Sequence, residues 1–413
     1  IAISMLLGMM IPVGVTVSAE SENLCATWAE VVAAANDPTA SIKLTNHVTA
    51  NETIASFAGT FDGNGYTVTV EKTMFTALAD GAVLKNFQTT APAAITVAPI
   101  AVTASGSVEF ANIINNVSIS GNGIGQMGAF LTTTAGTTTV KMTSCVNNGD
   151  IQTNNQASGI IGNTEGTLTV NFTDVVNNGN ITGNKNYAGG IICANGGLNG
   201  TMTRVINNGN IYVESTASNQ KGSNAAGIVG TAKGIVSLTL DECVNTGAVT
   251  LVTTNTSTHY GVAGFAIRTD DSASVFTLNN CVNTGVLTSE TAPAIDAIAV
   301  PLKSGAAVAT GCTYSSGTST VAGATQVDAA TAEASIAAIK AKMTLPEFDA
   351  NKAPETTAAP EDTTAPEPET TAPEVPETMV PETSATPDTS AVPDITKAPE
   401  TTATPEAPEE PSE

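Results

Sequence analysis

Asp174, Arg204 and Glu242 hold the same place in three copies of one recurring phrase, with Ser144 and Asn280 in that place in the flanking copies. Two carboxylates around a guanidinium could do chemistry. One acting as acid and the other as base or nucleophile cleaves a glycosidic bond, while the arginine holds an acidic sugar. That work needs further acids close by, and the neighbouring places supply mainly threonine, asparagine and Asp241. The plainer reading is a surface ion-pair ladder that keeps the copies in register, each pair adding little stability. Asp174, Arg204 and Glu242 are therefore weak candidates for a binding surface, and no residue is assigned as catalytic.

Other chemistry-bearing residues are sparse. The six cysteines are Cys25, Cys145, Cys193, Cys243, Cys281 and Cys312, none at the short paired spacing of a zinc site. His47 and His259 are the only histidines, and neither has a Ser, Cys or carboxylate at a diagnostic spacing. Asp62, in "FDGNGY", reads as a turn residue bonding its own backbone rather than a calcium ligand, and Asp270 and Asp271 sit in a polar connection. No metal and no cofactor is expected.

The elements that would position these residues follow from the repeated phrase. "SCVNNGDI" returns as "DVVNNGNI", "RVINNGNI", "ECVNTGAV" and "NCVNTGVL". Its first Asn lies at Asn115, Asn147, Asn177, Asn207, Asn245 and Asn283, spaced by 32, 30, 30, 38 and 38 residues. A period in this range marks a solenoid. Before each Asn, apolar residues alternate with polar ones, as at Val140 and Met142 or Leu238 and Leu240, the pattern of a strand with one buried face. A Gly column (Gly149 to Gly285) and an apolar column (Ile151 to Leu287) follow, then a second short strand such as "ASGIIG" or "AGGIIC". Such short strands bury their apolar face only by stacking, at about 4.8 Å per coil. The fold class is all-β, a parallel solenoid, with inserted loops expected near 214–224 and 253–260. Cys145, Cys243 and Cys281 share a column with Val175 and Val205, so they read as small inward hydrophobes. A Cys243–Cys281 disulfide between adjacent coils is the alternative, since the stacking distance falls within the Cα range of about 4.4–6.8 Å.

The flanks differ in kind. Residues 1–19 read as the apolar core and cleavage site of a secretory signal peptide, here truncated, so export is expected. Residues 23–107 should hold a capping helix over 23–36, with Leu24, Trp28, Val31 and Val32 at helical spacing, and the first coils. The repeats occupy 108–312, and 313–352 close with a short helix in "TAEASIAAIKAKM". From Ala353 to Glu413 the chain is rich in Pro, Thr and Glu and poor in large apolar residues, the composition of an extended disordered stalk. The formal net charge of −24 repels phosphate backbones and anionic lipid, which argues against nucleic-acid or membrane-surface binding.

"FAGTFDGNGYTV" at Phe57 to Val68, and the "SGIIG", "GGIIC" and "AGIVG" cores paired with "NNGNI", resemble the right-handed parallel β-helix repeat proteins of bacterial surfaces, including those built from the GLUG motif. The resemblance implies right-handed coils, export and cell-surface attachment, and it specifies architecture better than activity. Ser118 in the Gly column and "AIDAIAV" in the last unit depart from the pattern, which suggests atypical capping coils. Three functions are compatible: adhesion to a glycan or a host or cell-surface protein, with a cell-wall anchor beyond Glu413; a polysaccharide lyase or glycoside hydrolase of the β-helix type; and a structural spacer.

Overall fold

Every strand pairing among the described residues is parallel, and equivalent residues stack coil upon coil. The computed structural model describes residues 22–121, 125–215, 223–254, 261–269, 272–289, 294–303 and 305–355. The expected leader, the tail from 356 onward, most of both inserted loops, and His259, Asp270 and Asp271 lie outside these ranges. One inward column shows the stacking: Ile42, Phe61, Leu84, Phe110, Met142, Phe172, Met202, Leu240, Leu278 and Ala309 are in register through nine coil steps. All ten are buried. The expected boundary at 107/108 falls inside the strand Ala101–Asn115, so the early coils and the repeats form one stack.

Each repeat contributes strands to a long main sheet and to shorter sheets on the other sides of the coil. After the Asn column come strands such as Ile151–Thr153, Ile181–Gly183 and Ile211–Ser215, whose first Ile points inward. Gly190 and Ile191 of a "GII" segment separate two further strands, Tyr187–Gly189 and Ile192–Ala194. The chain therefore turns at the places the repeat grammar marks.

Those turns converge on the asparagine column. Asn115, Asn147, Asn177, Asn207, Asn245 and Asn283 are fully buried. Each of the first five donates from Nδ2 to Oδ1 of the next, at 2.7–2.8 Å. The same amides donate to the carbonyl two residues on, for example Asn177 to Gly179 at 2.9 Å. Thr89 starts the ladder with a 2.7 Å hydrogen bond to Asn115 Oδ1. Two glycine columns make this packing possible. A Cβ on Gly209 would lie 1.9 Å from the Gly179 carbonyl oxygen, and one on Gly227 would lie 2.3 Å from Cγ of Asn245. These glycines are required by close approach, not by a left-handed backbone.

Both expected helices form with different bounds, and the second takes a different role. Asn23–Cys25 is a strand paired with Ile42–Leu44, and Leu24 is exposed. The helix begins only at Trp28–Ala34, because Thr27 is extended and forms a capping box with Glu30. Its Trp28 ring packs edge-on against Phe61, so this helix caps the core. The second helix, Ala329–Lys340, does not plug the far end as expected but lies along the outside of the stack. The end is closed instead by residues 315–323, tied down by buried Asp296, whose carboxylate accepts from Ser319 Oγ at 2.7 Å and Thr320 N at 2.7 Å.

Gly209→Ala should cost about 3 kcal/mol through backbone overpacking, whereas Gly125→Ala, with nothing within 4 Å, should be neutral. Thermal denaturation of the two variants checks this, and equal melting temperatures would contradict the close-approach role.

Candidate functional site

The column of the three charged candidates is where the main sheet bends. Asn112, Ser144, Asp174, Arg204, Glu242 and Asn280 all have positive φ, between 52 and 58°, and Gly311 continues the column at 63°. Left-handed backbone is easiest for Gly, Asn and Asp, and unusual for Arg or Glu. At this kink the next residue, Cys145 or its equivalents, turns into the core, while the following one, Val146 or its equivalents, turns outward.

The structure joins the candidates through a segment beyond the repeats. Arg204 Nε donates to Asp174 Oδ1 at 2.6 Å, and the backbone N–H of Thr344 donates to Asp174 Oδ2 at 3.1 Å. Glu242 is bound by Lys342. The hydrogen bond to Asp174, with the Glu242 and Asp241 charges nearby, raises the Arg204 guanidinium above its ordinary value. Both Asp174 oxygens are thus occupied, its side chain is 7% exposed, and residues 342–344 cross beside it. The pair is an anchoring point, not an open acid–base couple. Among the described residues, no three His, Cys, Asp or Glu side chains gather closely enough to hold a metal.

Beside the kink runs a feature that the sequence reading missed. Val146, Val176, Ile206, Val244 and Val282 form an outward apolar stripe, buried by Ala332, Ile336 and Ile339, with Met343 packed against it. The signal was present: "CV", "VV", "VI", "CV" and "CV" place two apolar residues in succession, where a strand with one buried face should alternate.

The other side of the kink presents the open face of the main sheet. Its outward columns are hydroxyl- and amide-rich: Thr139, Thr169, Asn199 and Ser237, ending at the exposed Val275; Lys141, Asn171, Thr201, Thr239 and Thr277; Thr143, Thr173, Thr203, Asp241 and Asn279. Neighbours lie about 4.8 Å apart along the stack and about 6.6 Å apart along a strand. Lys141 pairs with Glu109 at 3.0 Å. The three columns hold no aromatic ring. A second exposed row, in which Asn148, Asn178 and Asn208 each donate to the amide one coil earlier at 2.8 Å, borders the stripe.

The remaining candidates take structural roles. Asp62 accepts from the Asn64 N–H at 2.8 Å and from Asn86 Nδ2 at 3.1 Å, with Lys85 at 3.5 Å, which is turn chemistry. His47 accepts from the Thr67 N–H at 3.0 Å, and its other ring nitrogen lies 3.1 Å from the Lys352 carbonyl. All six cysteines are buried free thiols, so no Cys243–Cys281 disulfide forms. Cys243, Cys281 and Cys312 each donate to the carbonyl of the preceding coil, at 3.3–3.5 Å from Met202, Leu240 and Leu278. Burial pushes the Cys145 thiol up to about 12. In the stack, burial raises the Cys281 thiol as well, and the neighbouring Cys281 side chain lowers that of Cys312.

Comparison with known proteins adds no neighbour: no family model, curated protein or solved structure matches the chain.

Arg204→Ala should cost about 1–3 kcal/mol by stripping a nearly buried carboxylate of its main partner. Ser144→Gly should gain about 1 kcal/mol by relieving the left-handed backbone. Chemical denaturation tests both, and the same sign for the two would contradict this account. A thiol reagent should titrate six groups in denaturant and none in the native chain; fewer than six in denaturant would restore a disulfide.

Proposed function

We propose that this chain is a non-catalytic exported surface protein, in which a right-handed parallel β-helix of the bacterial GLUG-like type is carried on its Pro/Thr/Glu-rich tail and adheres to an extended polymer. The winding sense rests on the strong preference of parallel crossovers for the right hand. The tail's composition favours an extended stalk. The observation that carries the functional reading is the open sheet face with its three hydroxyl and amide columns. Paired donors and acceptors repeating every coil suit a ligand that itself repeats, and an extended β-linked glycan advances by close to one coil spacing per sugar. A stretched segment of a host or cell-surface protein could use the same rows. The polysaccharide-cleaving alternative draws less support, since the Asp174 and Glu242 carboxylates are engaged by Arg204, Thr344 and Lys342.

The test is retention of the full chain on a glycan array and on whole cells. Binding to one class of linear glycan or to a cell-surface protein should occur, and Thr169→Lys with Thr201→Lys should reduce it at least tenfold, as like-sized loss of face complementarity implies. No retention anywhere would leave the spacer reading. Turnover of a polysaccharide, abolished by Asp174→Ala, would overturn the non-catalytic one.

A further inference from the structure

The segment from Val327 to Glu355 retraces the solenoid. It leaves the last coils, where the Val327 N–H donates to the Tyr314 carbonyl at 2.9 Å, and ends at the first ones, where the Glu355 N–H donates to the Thr45 carbonyl at 2.9 Å. Between these levels lie nine coil steps, roughly 43 Å. Helix Ala329–Lys340 sits on the apolar stripe, Lys342 and Thr344 engage Glu242 and Asp174, and Lys352 stacks over the Tyr66 ring at 4.1 Å. Tyr66 also donates to the Ala353 carbonyl at 2.9 Å.

The way this strap is held differs from the way the coils are held. Each coil is bonded to its neighbours along whole strands and by buried amides, whereas the strap has backbone bonds at its two ends and side chains between them. Much of it is exposed, including Lys342, whose side chain is 54% accessible. Exposed ion pairs contribute little, and an isolated helix of 12 residues is marginal in water. The cooperative unit should therefore divide along this boundary, with the strap opening at far lower free energy than the sheets.

We propose that residues 327–355 form a releasable latch, which detaches while the solenoid stays folded. Release uncovers the Val146 to Val282 stripe and the Asp174, Arg204 and Glu242 column, and it adds 29 residues, on the order of 100 Å of chain, to whatever follows Glu355. A pull on the tail would act first on the Glu355 and Lys352 contacts and then on those of Thr344 and Lys342, so the strap peels from the first coils toward the last. This proposal stands on the strap's own contacts and needs no particular ligand for the open face.

Amide hydrogen exchange on the full chain tests it, comparing the native sequence with the Lys342→Gln/Lys352→Gln double variant, and low salt with about 0.5 M NaCl. The helix amides of residues 333–341 should exchange at least tenfold faster than those of Val140, Val170 and Leu240. The double variant should accelerate the helix by about a further threefold with the sheet amides unchanged, and salt should act on the native chain in the same direction. Helix and sheet amides exchanging together at one rate would overturn the proposal, as would a variant that speeds both alike.

Discussion

A column of buried amides organises this molecule. An asparagine side chain carries two donors and an acceptor, and sealing it in a hydrocarbon core without partners costs a few kcal/mol. In this solenoid each amide is satisfied by the next coil's amide and by a carbonyl two residues away. That solution works only if the next coil presents the same residue at the same height. The requirement sets the coil register, forces glycine wherever another backbone meets the column, and explains why one phrase recurs almost unchanged. The outer asparagine row donates toward the preceding coil, whereas the buried one donates toward the following coil. The two amide stacks thus oppose each other's dipoles along the same axis. The column ends at Asn283, whose register partner in the next coil is Tyr314, and there the glycine column of Gly190, Gly227 and Gly264 also gives way, to Ala297.

Much of this was legible in the residues, because a solenoid writes its geometry into its period. The Asn, Gly and Ile columns, the inward cysteines and the alternating strands all follow from spacing alone. What spacing could not show was which side of the kink faces what. The left-handed backbone at Ser144, Asp174, Arg204 and Glu242 inverts the alternation within the phrase, so Val146 points outward although a simple strand count would place it with the core. Nor could a local pattern reveal that the stripe is covered by a helix some 190 residues later, by numbering. The first helix was misjudged for a nearer reason: Leu24 fits the helical spacing, but the Thr27 and Glu30 capping box starts the helix after it.

The charged candidates illustrate how a site-like pattern can arise from construction. Arg204 and Glu242 occupy positions that favour glycine or asparagine, so their presence demands a reason, and the strap supplies it. Asp174 takes a backbone donor from Thr344, Glu242 takes Lys342, and Arg204 balances the nearly buried Asp174. Charge was placed where the returning chain must be gripped. Among the described residues, the open threonine face carries no such left-handed backbone and no strap residue is bonded to it, so the proposed binding falls to that face.

The retracing strap also acts as a ruler. Repeat proteins ordinarily gain or lose units with little penalty, since each coil contacts only its neighbours. Here a segment of fixed length must reach from Tyr314 to Thr45 with Lys342 beside Glu242 and Lys352 over Tyr66. Duplicating one coil would move those partners apart by about 4.8 Å and leave one end ungripped. The copy number of this solenoid is therefore tied to the length of a segment that belongs to none of its repeats.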